Sequence, residues 1–415
     1  MDINNLALLA RGMDMKLLFL TFFYPPDEEP RAIQVERIAK KMNSKIDIVC
    51  RSRFKEIINK DKNNLNRIRI YKYKYNDFKN TYISYLLNLI CTPDKYIFWS
   101  ILNIFRVKKD LDHDYKAIIS FGQPMSMHIA GFFISKFMKK PWIIYFSDPW
   151  YGNIYTKTNI LKELINYFLE YLVISNCDKC FFTNKRALNY TMSKFKNKYK
   201  KKADFIPHSF EKKLFKNNHK SIENNNSFII RHLGNFYGPR SPIIFLESLI
   251  YLYNNENEYL NNIKVEFIGS ISPRIKIDSY LKKLPYDLVK FKESVSYIES
   301  LKLMSNASLL LLIDSKSKEN IFLPSKLFDY IGSNTPIFAI SNKGASIDII
   351  KEIGYFYDDS YDHKKIAFNL KNIINNYKFH NNTLNINKKA KEKYNNENVA
   401  KLFEKKINVI VNSKI

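Results

Sequence analysis

Short apolar runs alternate with amphipathic stretches along the first half of the chain. An apolar run from Lys16, a proline-containing turn, a helical pattern over 31–42 and an apolar run over 45–50 predict a strand, a helix and a strand. Further strands are predicted over 117–121, 142–146, 179–183 and 205–207. Helices are predicted over 97–107, 126–138 and 161–174. This alternation predicts a parallel sheet covered on both faces.

A second alternation follows a polar stretch rich in Lys, Asn and His over 211–226. Its strands are predicted over 228–233, 264–268, 289–291, 308–313 and 337–340, with a last one near Tyr355. Its helices are predicted over 242–253, 275–283, 298–304 and 325–331. The polar stretch is typical of a linker, so the pattern predicts two α/β halves of similar size.

The predicted fold is therefore α/β, with two doubly wound Rossmann-like domains that face a central cleft. The predicted parts are an N-terminal domain over 1–210, a linker over 211–227, a C-terminal domain over 228–397 and a terminal helix over 398–415 that returns to the N-terminal domain. Sheets of this kind bind ligands beyond the carboxyl ends of their strands. Function is expected in the loops that follow the strands.

The charge of the chain adds candidate partners. There are 67 Lys and Arg against 40 Asp and Glu, a formal net charge of +27 over 415 residues. Nucleic acid, an anionic membrane surface and a phosphorylated substrate are each compatible with it, and so is a spread of lysines over solvated faces. Four cysteines are too few for a disulfide framework and favour a reducing compartment. No apolar run approaches the ~20 residues of a membrane span.

The segment 231–242 joins a predicted strand to a predicted helix and contains Gly234, Asn235 and Arg240. A glycine lets the backbone approach a ligand, and an arginine makes forked contacts to phosphate oxygens. The N-terminus of the following helix favours an anion. An ordinary Gly-Pro turn with a surface arginine is the other reading of this segment.

The segment 320–336 begins a helix at Ser325, which is expected to cap it and to leave free N–H groups. Lys326 offers a point charge suited to a diphosphate. Asp329 lies on the same helical face, where its carboxylate can accept paired hydrogen bonds from the hydroxyls of a ribose. A well-capped helix with a Lys and Asp pair is the other reading.

Together these segments resemble GT-B glycosyltransferases of the family 4 type, which include bacterial cell-surface polysaccharide transferases. The similarity covers nearly the whole chain from Lys16 and lies in the order of its segments. In the second half it rests on Gly234 with Arg240 and on 265–269, 300–307, 324–330 and Pro336. In the first half it rests on 24–26 with Arg31 and on 120–128, 141–150 and 206–210.

The resemblance implies transfer of a sugar from a nucleoside diphosphate sugar to an acceptor, with retention of configuration. Arg240 and Lys326 would hold the diphosphate, and Asp329 the ribose. The implied donor-binding set is Gly234, Asn235, Arg240, Tyr297, Ser325, Lys326 and Asp329, with the base near Tyr297. No cofactor and no metal are expected, because the basic groups take the place of a metal at the diphosphate.

In the N-terminal domain the resemblance implies two catalytic residues, His128 facing the donor sugar and Asp148 on the acceptor side. Arg31, Trp150 and His208 are assigned to the acceptor site or the interdomain region. A structural histidine is the other reading of His128, and a tight turn with a packed indole is the other reading of 148–150.

One feature of the family is missing. Its members commonly carry two glutamates eight residues apart, and counting back from Asp329 reaches Ile321. Glu319 lies two residues away, and whether it substitutes is left open.

The expected partners are a nucleoside diphosphate sugar, a glycan or lipid-linked acceptor and an anionic membrane surface, and nucleic acid is not expected. The expected location is cytoplasmic, peripheral on the inner face of a bacterial membrane, in capsule, lipopolysaccharide or other surface polysaccharide synthesis. The aromatic stretch 82–99 is a candidate interfacial element, with a core helix as its other reading. The alternative functions are a GT-B-like nucleotide-sugar epimerase or hydrolase and a basic nucleic-acid-binding protein.

Overall fold

The computed structural model describes residues 15–52, 58–60, 67–75, 91–153, 155, 159–215, 227–318, 320–380 and 385–413. These residues form two units. Unit 1 extends to His208 and resumes at Asn396, and unit 2 extends from Ser209 to Asn395. Glu319 and most of the predicted linker lie outside the described residues.

Unit 1 is built on one sheet of eight strands. They are β1 (Lys16–Leu20), β2 (Lys45–Ser52), β3 (Ile58–Lys60), β4 (Ile68–Lys74), β5 (Ala117–Phe121), β6 (Trp142–Phe146), β7 (Lys179–Phe182) and β8 (Ala203–Phe205). Their order is β3-β4-β2-β1-β5-β6-β7-β8, and all pairs are parallel except β3 with β4. The winding changes direction between β1 and β5, and such a point opens a crevice at the carboxyl edge of the sheet.

Helices cover both faces of this sheet. They are α1 (Pro30–Ala39), α2 (Ile97–Asp110), α3 (Ser126–Met138), α4 (Ile160–Asn176), α5 (Lys185–Met192), α6 (Asn197–Lys200) and the last helix of the chain (Asn396–Asn412). Because successive strand residues point to opposite faces, Leu18 and Leu20 pack with α2 to α5, whereas Leu17 and Phe19 pack with α1 and the last helix.

Unit 2 has the strand order of a Rossmann sheet. Its strands are β9 (Phe228–Leu233), β10 (Ile263–Ile268), β11 (Val289–Lys292), β12 (Leu309–Ile313), β13 (Ile337–Ile340) and β14 (Phe356–Asp358). They pair in parallel in the order β11-β10-β9-β12-β13-β14. The winding reverses between β9 and β12, so the loops after these two strands flank the crevice of this sheet.

Both faces of the second sheet are also covered by helices. They are α7 (Ile243–Asn255), α8 (Asp278–Leu281), α9 (Tyr297–Ser305), α10 (Lys326–Gly332), α11 (Ala345–Ile353), α12 (His363–His380) and α13 (Lys388–Glu392), which makes the last helix of the chain α14. Strand β12 is buried along its whole length, which accounts for its unbroken Leu and Ile sequence.

The sequence pattern missed β4, because Arg69 and Lys72 make this strand look polar. Arg69 donates to both carboxylate oxygens of Asp47 at 2.8 and 2.7 Å, so its charge is paired across the sheet. Strand β8 lies two residues earlier than predicted. Of the predicted linker, residues 212–215 form a short 3₁₀ helix within unit 2. In the described part of the chain, no helix has both the length and the apolar character that crossing a membrane requires.

Candidate functional site

The ammonium group of Lys326 lies at the carboxyl edge of the unit 2 sheet. Its Nζ donates to Nε2 of His232 at 2.9 Å. A Cβ built on Gly234 would lie 3.2 Å from the same Nζ, so the backbone passes directly beside the lysine. Burial, and then the positive charge of Arg240, lower the pKa of Lys326 well below its usual value, although Asp314 opposes this. An anion bound here would relieve the repulsion between the two cations.

The tautomer of His232 follows from its two partners. Its Nδ1 lies 2.9 Å from the carbonyl oxygen of Leu311, and because a carbonyl only accepts, Nδ1 carries the proton. Nε2 is therefore the acceptor for Lys326. Burial, and then the charge of Lys326, lower the pKa of His232 well below its usual value, so the ring is neutral. The ring also stacks on Phe236, with centroids 4.4 Å apart, and it holds the lysine without adding charge.

Arg240 is oriented by a buried carboxylate. Its Nη2 donates to Oδ1 of Asp314 at 3.2 Å, and Oδ2 of Asp314 accepts from the hydroxyl of Ser346 at 2.7 Å. The carbonyl oxygen of Asp314 accepts from the hydroxyl of Tyr361 at 3.2 Å. Because both carboxylate oxygens are engaged, the side chain of Asp314 has little freedom, and the guanidinium group keeps one direction.

Two glycines shape the loops after β9 and β10. Gly234 has a φ of 123° and Gly269 a φ of 140°, a region that is strained for any other residue. A Cβ on Gly269 would lie 2.6 Å from the carbonyl oxygen of Gly234, so the two turns pack backbone against backbone. Oδ1 of Asn235 accepts from the backbone N–H of Ser270 at 2.9 Å and ties the loops together.

Asp329 and Tyr297 meet although they belong to different helices. The hydroxyl of Tyr297, at the start of α9, donates to Oδ1 of Asp329 on α10 at 3.2 Å. Asp329 is buried. The structure therefore brings together the residues to which the family resemblance assigned ribose and base contacts.

The predicted side-chain cap at Ser325 is wrong. Ser325 precedes α10, but its side chain makes no capping hydrogen bond. Its φ of −59° and ψ of −33° are already helical, whereas a capping residue is extended. The N–H groups of Leu327 and Phe328 donate to the carbonyls of Pro324 and Ser325 at 3.1 Å, so these groups are not free as the sequence suggested.

In unit 1, Arg31 connects α1 to the loop after β6. Its Nη1 donates to Oε1 of Gln34 at 2.5 Å, and its Nη2 donates to the hydroxyl of Ser147. The guanidinium group lies over the ring of Tyr145, 5.4 Å from its centroid. Burial lowers the pKa of Arg31 to about 10, so it remains a cation at neutral pH.

His128 lies on α3, at the carboxyl edge of the unit 1 sheet. Its Nδ1 is 2.9 Å from Oγ of Ser120, which also accepts from the indole N–H of Trp142 at 2.9 Å. Its Nε2 is buried and has no hydrogen-bond partner among the described residues. A Cβ on Gly122 would lie 2.6 Å from this Nε2. Burial lowers the pKa of His128 to about 3, so the ring is neutral.

The loop 147–151 contains Asp148 and Trp150 and is held by the inner side of α4. Oδ2 of Asp148 accepts from the amide of Gln123 at 2.8 Å. The indole N–H of Trp150 donates to Oδ1 of Asn166 at 3.0 Å, and its backbone N–H donates to Oε1 of Glu170 at 3.3 Å. Two polar side chains of α4 thus position the loop.

The carboxyl group of Glu170 makes the stability of unit 1 depend on pH. Burial raises its pKa to about 7, from 4.5 in an exposed glutamate. Between these values the folded state binds more protons than the unfolded state, so stability falls as pH rises, by roughly 3 kcal/mol over the window. We expect Glu170→Gln to remove this loss, and urea denaturation at about pH 5 and pH 8 measures it.

The matched control is Glu163→Gln on the same helix, which should keep the pH dependence of the wild type. The expectation fails if Glu170→Gln loses as much stability as the wild type between the two pH values.

His208 is the last residue of the first stretch of unit 1 and is buried. Burial, and then the charges of Arg31 and Arg37, lower its pKa to about 3. The charge of Arg31, another residue assigned to the acceptor or interdomain region, therefore acts on the ring of His208. Whether Glu319 substitutes for the missing glutamate stays open, because Glu319 lies outside the described residues.

Sequence reasoning missed His232 and Asp314. Both had a signal in the chain. His232 follows Arg231 near the end of strand β9, two residues before Gly234, and Asp314 directly follows the apolar strand β12. Polar residues at the carboxyl ends of buried parallel strands are candidates for a ligand site.

No protein-family model matches the chain, and no curated protein matches it in sequence. Solved structures do match. Sucrose-phosphate synthase from Thermosynechococcus elongatus superposes with a TM-score of 0.69 at 12% identity, covering 96% of this chain and 100% of that one. The E. coli trehalose-6-phosphate structure bound with UDP-2-fluoro glucose gives 0.66 at 10% identity, covering 94% and 98%.

HepE from Anabaena, solved in complex with UDP, gives a TM-score of 0.58 at 12% identity, covering 96% of this chain and 98% of that one. These neighbours share the two parallel-sheet α/β domains of the GT-B fold. The prediction of fold class is confirmed: the chain has the GT-B fold.

Proposed function

We propose that the chain transfers a sugar from a nucleoside diphosphate sugar to an acceptor. The observation that carries this proposal is the basic pair at the carboxyl edge of a Rossmann-type sheet: Lys326 lies beside the backbone of Gly234, and the charge of Arg240 acts on it. Diphosphate oxygens suit such a pair, since charge-assisted hydrogen bonds to anions are the strong ones. The UDP and the UDP-sugar analogue bound by two structural neighbours support the same ligand class.

In this proposal the basic pair binds the diphosphate and stabilises the charge that develops on the departing nucleoside diphosphate. Asp329 accepts from the ribose hydroxyls, with Tyr297 near the base. His128, neutral and with no partner for its Nε2 within the described part of the chain, contacts the donor sugar. Asp148 lies on the acceptor side. Retention of configuration is part of the proposal.

The proposed acceptor is a surface glycan or a lipid-linked sugar, in capsule, lipopolysaccharide or related polysaccharide synthesis. The proposed place of action is the inner face of a bacterial cytoplasmic membrane. The net charge of +27 supports a negatively charged surface as a partner.

A thermal-shift screen against UDP, GDP, CMP and TDP and their common sugars tests the donor site. A ligand that binds only the folded state raises the melting temperature by mass action. We expect one nucleotide series to stabilise the wild type. We expect Asp329→Asn and Arg240→Gln to lose that shift while remaining folded.

The exposed Asp287→Asn is the matched control for the carboxylate change and should keep the full shift. Absence of binding by every nucleotide at high concentration would overturn the proposal. Turnover of the donor without any acceptor would instead indicate an epimerase or a hydrolase on the same fold.

A further inference from the structure

Helix α4 presents apolar side chains outward, although its inner side already packs Val173 and Ile174 into the core. Leu161 and Phe168 are 67% and 68% exposed, and Leu164 is 53% exposed. Asn166 and Glu170, in contrast, are buried and hold the loop 147–151. A helix whose outer side faces only water is polar on that side. The outward side of α4 therefore has the composition of a surface that becomes covered.

Helix α2 also exposes a row of large apolar side chains, although Trp99 and Val107 on its inner side lie in the core. Phe98, Leu102 and Phe105 are 60%, 62% and 70% exposed, and they lie on one face at helical spacing. Ser100 and Asn103 are buried on the other face. Since two helices expose apolar rows of this kind, a single misplaced residue does not explain them.

The exposed sides form one surface, because α3 packs beside both α2 and α4. We call the outer surface of α2, α3 and α4 the apolar face; it is centred on Leu102, Phe105, Phe133, Leu161, Leu164 and Phe168. Folded monomers rarely expose large contiguous apolar patches except where they bind something. On α14, which covers the other side of the sheet, the exposed large apolar residues among those described are Leu402 and Val409.

A lysine cluster lies at the C-terminal end of α4. Six lysines occur over 194–202 without an acidic residue. The segment is fixed to α4, because the ring of Phe195 stacks on Tyr171 at 5.8 Å and Lys202 donates to the carbonyl of Ser175 at 2.8 Å. The exposed members of this lysine cluster are Lys196, Lys198, Lys200 and Lys201.

We propose that the apolar face binds an anionic lipid membrane. The apolar side chains enter the boundary between headgroups and acyl chains, and the lysine cluster contacts the negative headgroups. The combination of an apolar helix surface with flanking lysines is complementary to such a membrane. A second copy is a poorer occupant, because two chains of net charge +27 repel each other.

The proposal gives the membrane contact a different position from the stretch 82–99 that the sequence suggested. Residues 82–90 lie outside the described residues. Tyr96 and Trp99 pack on Phe22, with ring centroids 4.1 and 4.9 Å away, so they belong to the core. Of the described residues in that stretch, Phe98 belongs to the apolar face.

Sedimentation of the full chain with vesicles tests the apolar contact. We expect binding to vesicles of phosphatidylglycerol and phosphatidylethanolamine, and weak binding to pure phosphatidylcholine. Leu164→Gln with Phe168→Gln should reduce the partition coefficient at least about 10-fold, since binding scales with buried apolar area. Leu402→Gln with Val409→Gln on α14 is the matched control and should bind as the wild type does.

The charge is tested separately. Replacing Lys198, Lys200 and Lys201 by glutamine should lower binding to the anionic vesicles about 100-fold at low salt. The same change at Lys282, Lys283 and Lys290 in unit 2 removes equal charge and should have a much smaller effect. Raising the salt concentration should weaken wild-type binding and leave the triple variant of the lysine cluster less affected.

The variant with Leu164→Gln and Phe168→Gln is called the α4 variant. Equal vesicle binding by the wild type and the α4 variant, or no binding by the wild type, overturns the proposal. So does a dimer in light scattering that the α4 variant converts to a monomer, because the apolar face would then contact a second copy. The α4 variant should keep the nucleotide-induced thermal shift of the wild type. Failure of membrane binding is thereby distinguished from failure of the proposed sugar transfer.

Discussion

Replacing Lys326 by glutamine is expected to weaken binding of the selected nucleoside diphosphate about 10- to 100-fold. The lysine is held by His232 beside the backbone of Gly234, so its ammonium group is oriented before the ligand arrives. Hydrogen bonds to charged groups are worth about 1.5–3 kcal/mol, which corresponds to this range. Titration calorimetry measures it. Lys302→Gln, an exposed lysine on α9, is the control and should bind normally.

The same variant should change how binding depends on pH. In the free protein, burial and Arg240 hold the pKa of Lys326 well below its usual value. A bound diphosphate favours the protonated form and raises this pKa, so binding takes up a proton at pH values above the pKa of the free protein's lysine, and affinity falls as pH increases through that range. Calorimetry in two buffers of different ionisation enthalpy detects the uptake. Equal proton uptake by Lys326→Gln and the wild type would show that another group supplies it.

Replacing Gly269 by alanine is expected to destabilise unit 2 by about 3 kcal/mol or more. Its φ of 140° lies where only glycine is unstrained, and that strain alone costs about 1–3 kcal/mol. The added Cβ would also lie 2.6 Å from the carbonyl oxygen of Gly234. Neither backbone can move without shifting the loops that carry the proposed donor site. Urea denaturation measures the loss of stability.

Gly238→Ala is the matched control for this prediction. Gly238 has a φ of 59° in an exposed turn, and this left-handed conformation costs an alanine about 1–2 kcal/mol. A loss at Gly269 no larger than that at Gly238 would contradict the close packing of the two loops.

The core of the fold could be predicted from the chain because buried parallel strands leave a strong local pattern. Strand β12 reads as five consecutive apolar residues, and β13 and β5 lie where the pattern placed them. Strand β4 could not be predicted in this way, because the charge of Arg69 is compensated by Asp47, which lies 22 positions earlier on β2.

The loops that carry the proposed donor residues could be predicted for the same reason. Gly234, Arg240, Lys326 and Asp329 all follow strands, and the carboxyl ends of parallel strands meet at one edge of a sheet. Local spacing therefore indicates which loops converge. It does not indicate which side chains pair: His232 and Lys326 are 94 positions apart, and Arg240 and Asp314 are 74 apart.

The alternation of apolar and polar residues alone thus specifies two Rossmann-type sheets and the loops at their carboxyl edges. It does so because strand and helix periodicities are local properties of the chain. Tertiary packing decided the lowered pKa values of the buried basic residues Lys326 and Arg31. It also decided the tautomer of His232 and the outward orientation of the apolar side of α4. These features depend on which distant groups surround a side chain, and burial and pairing arise only when the chain is folded.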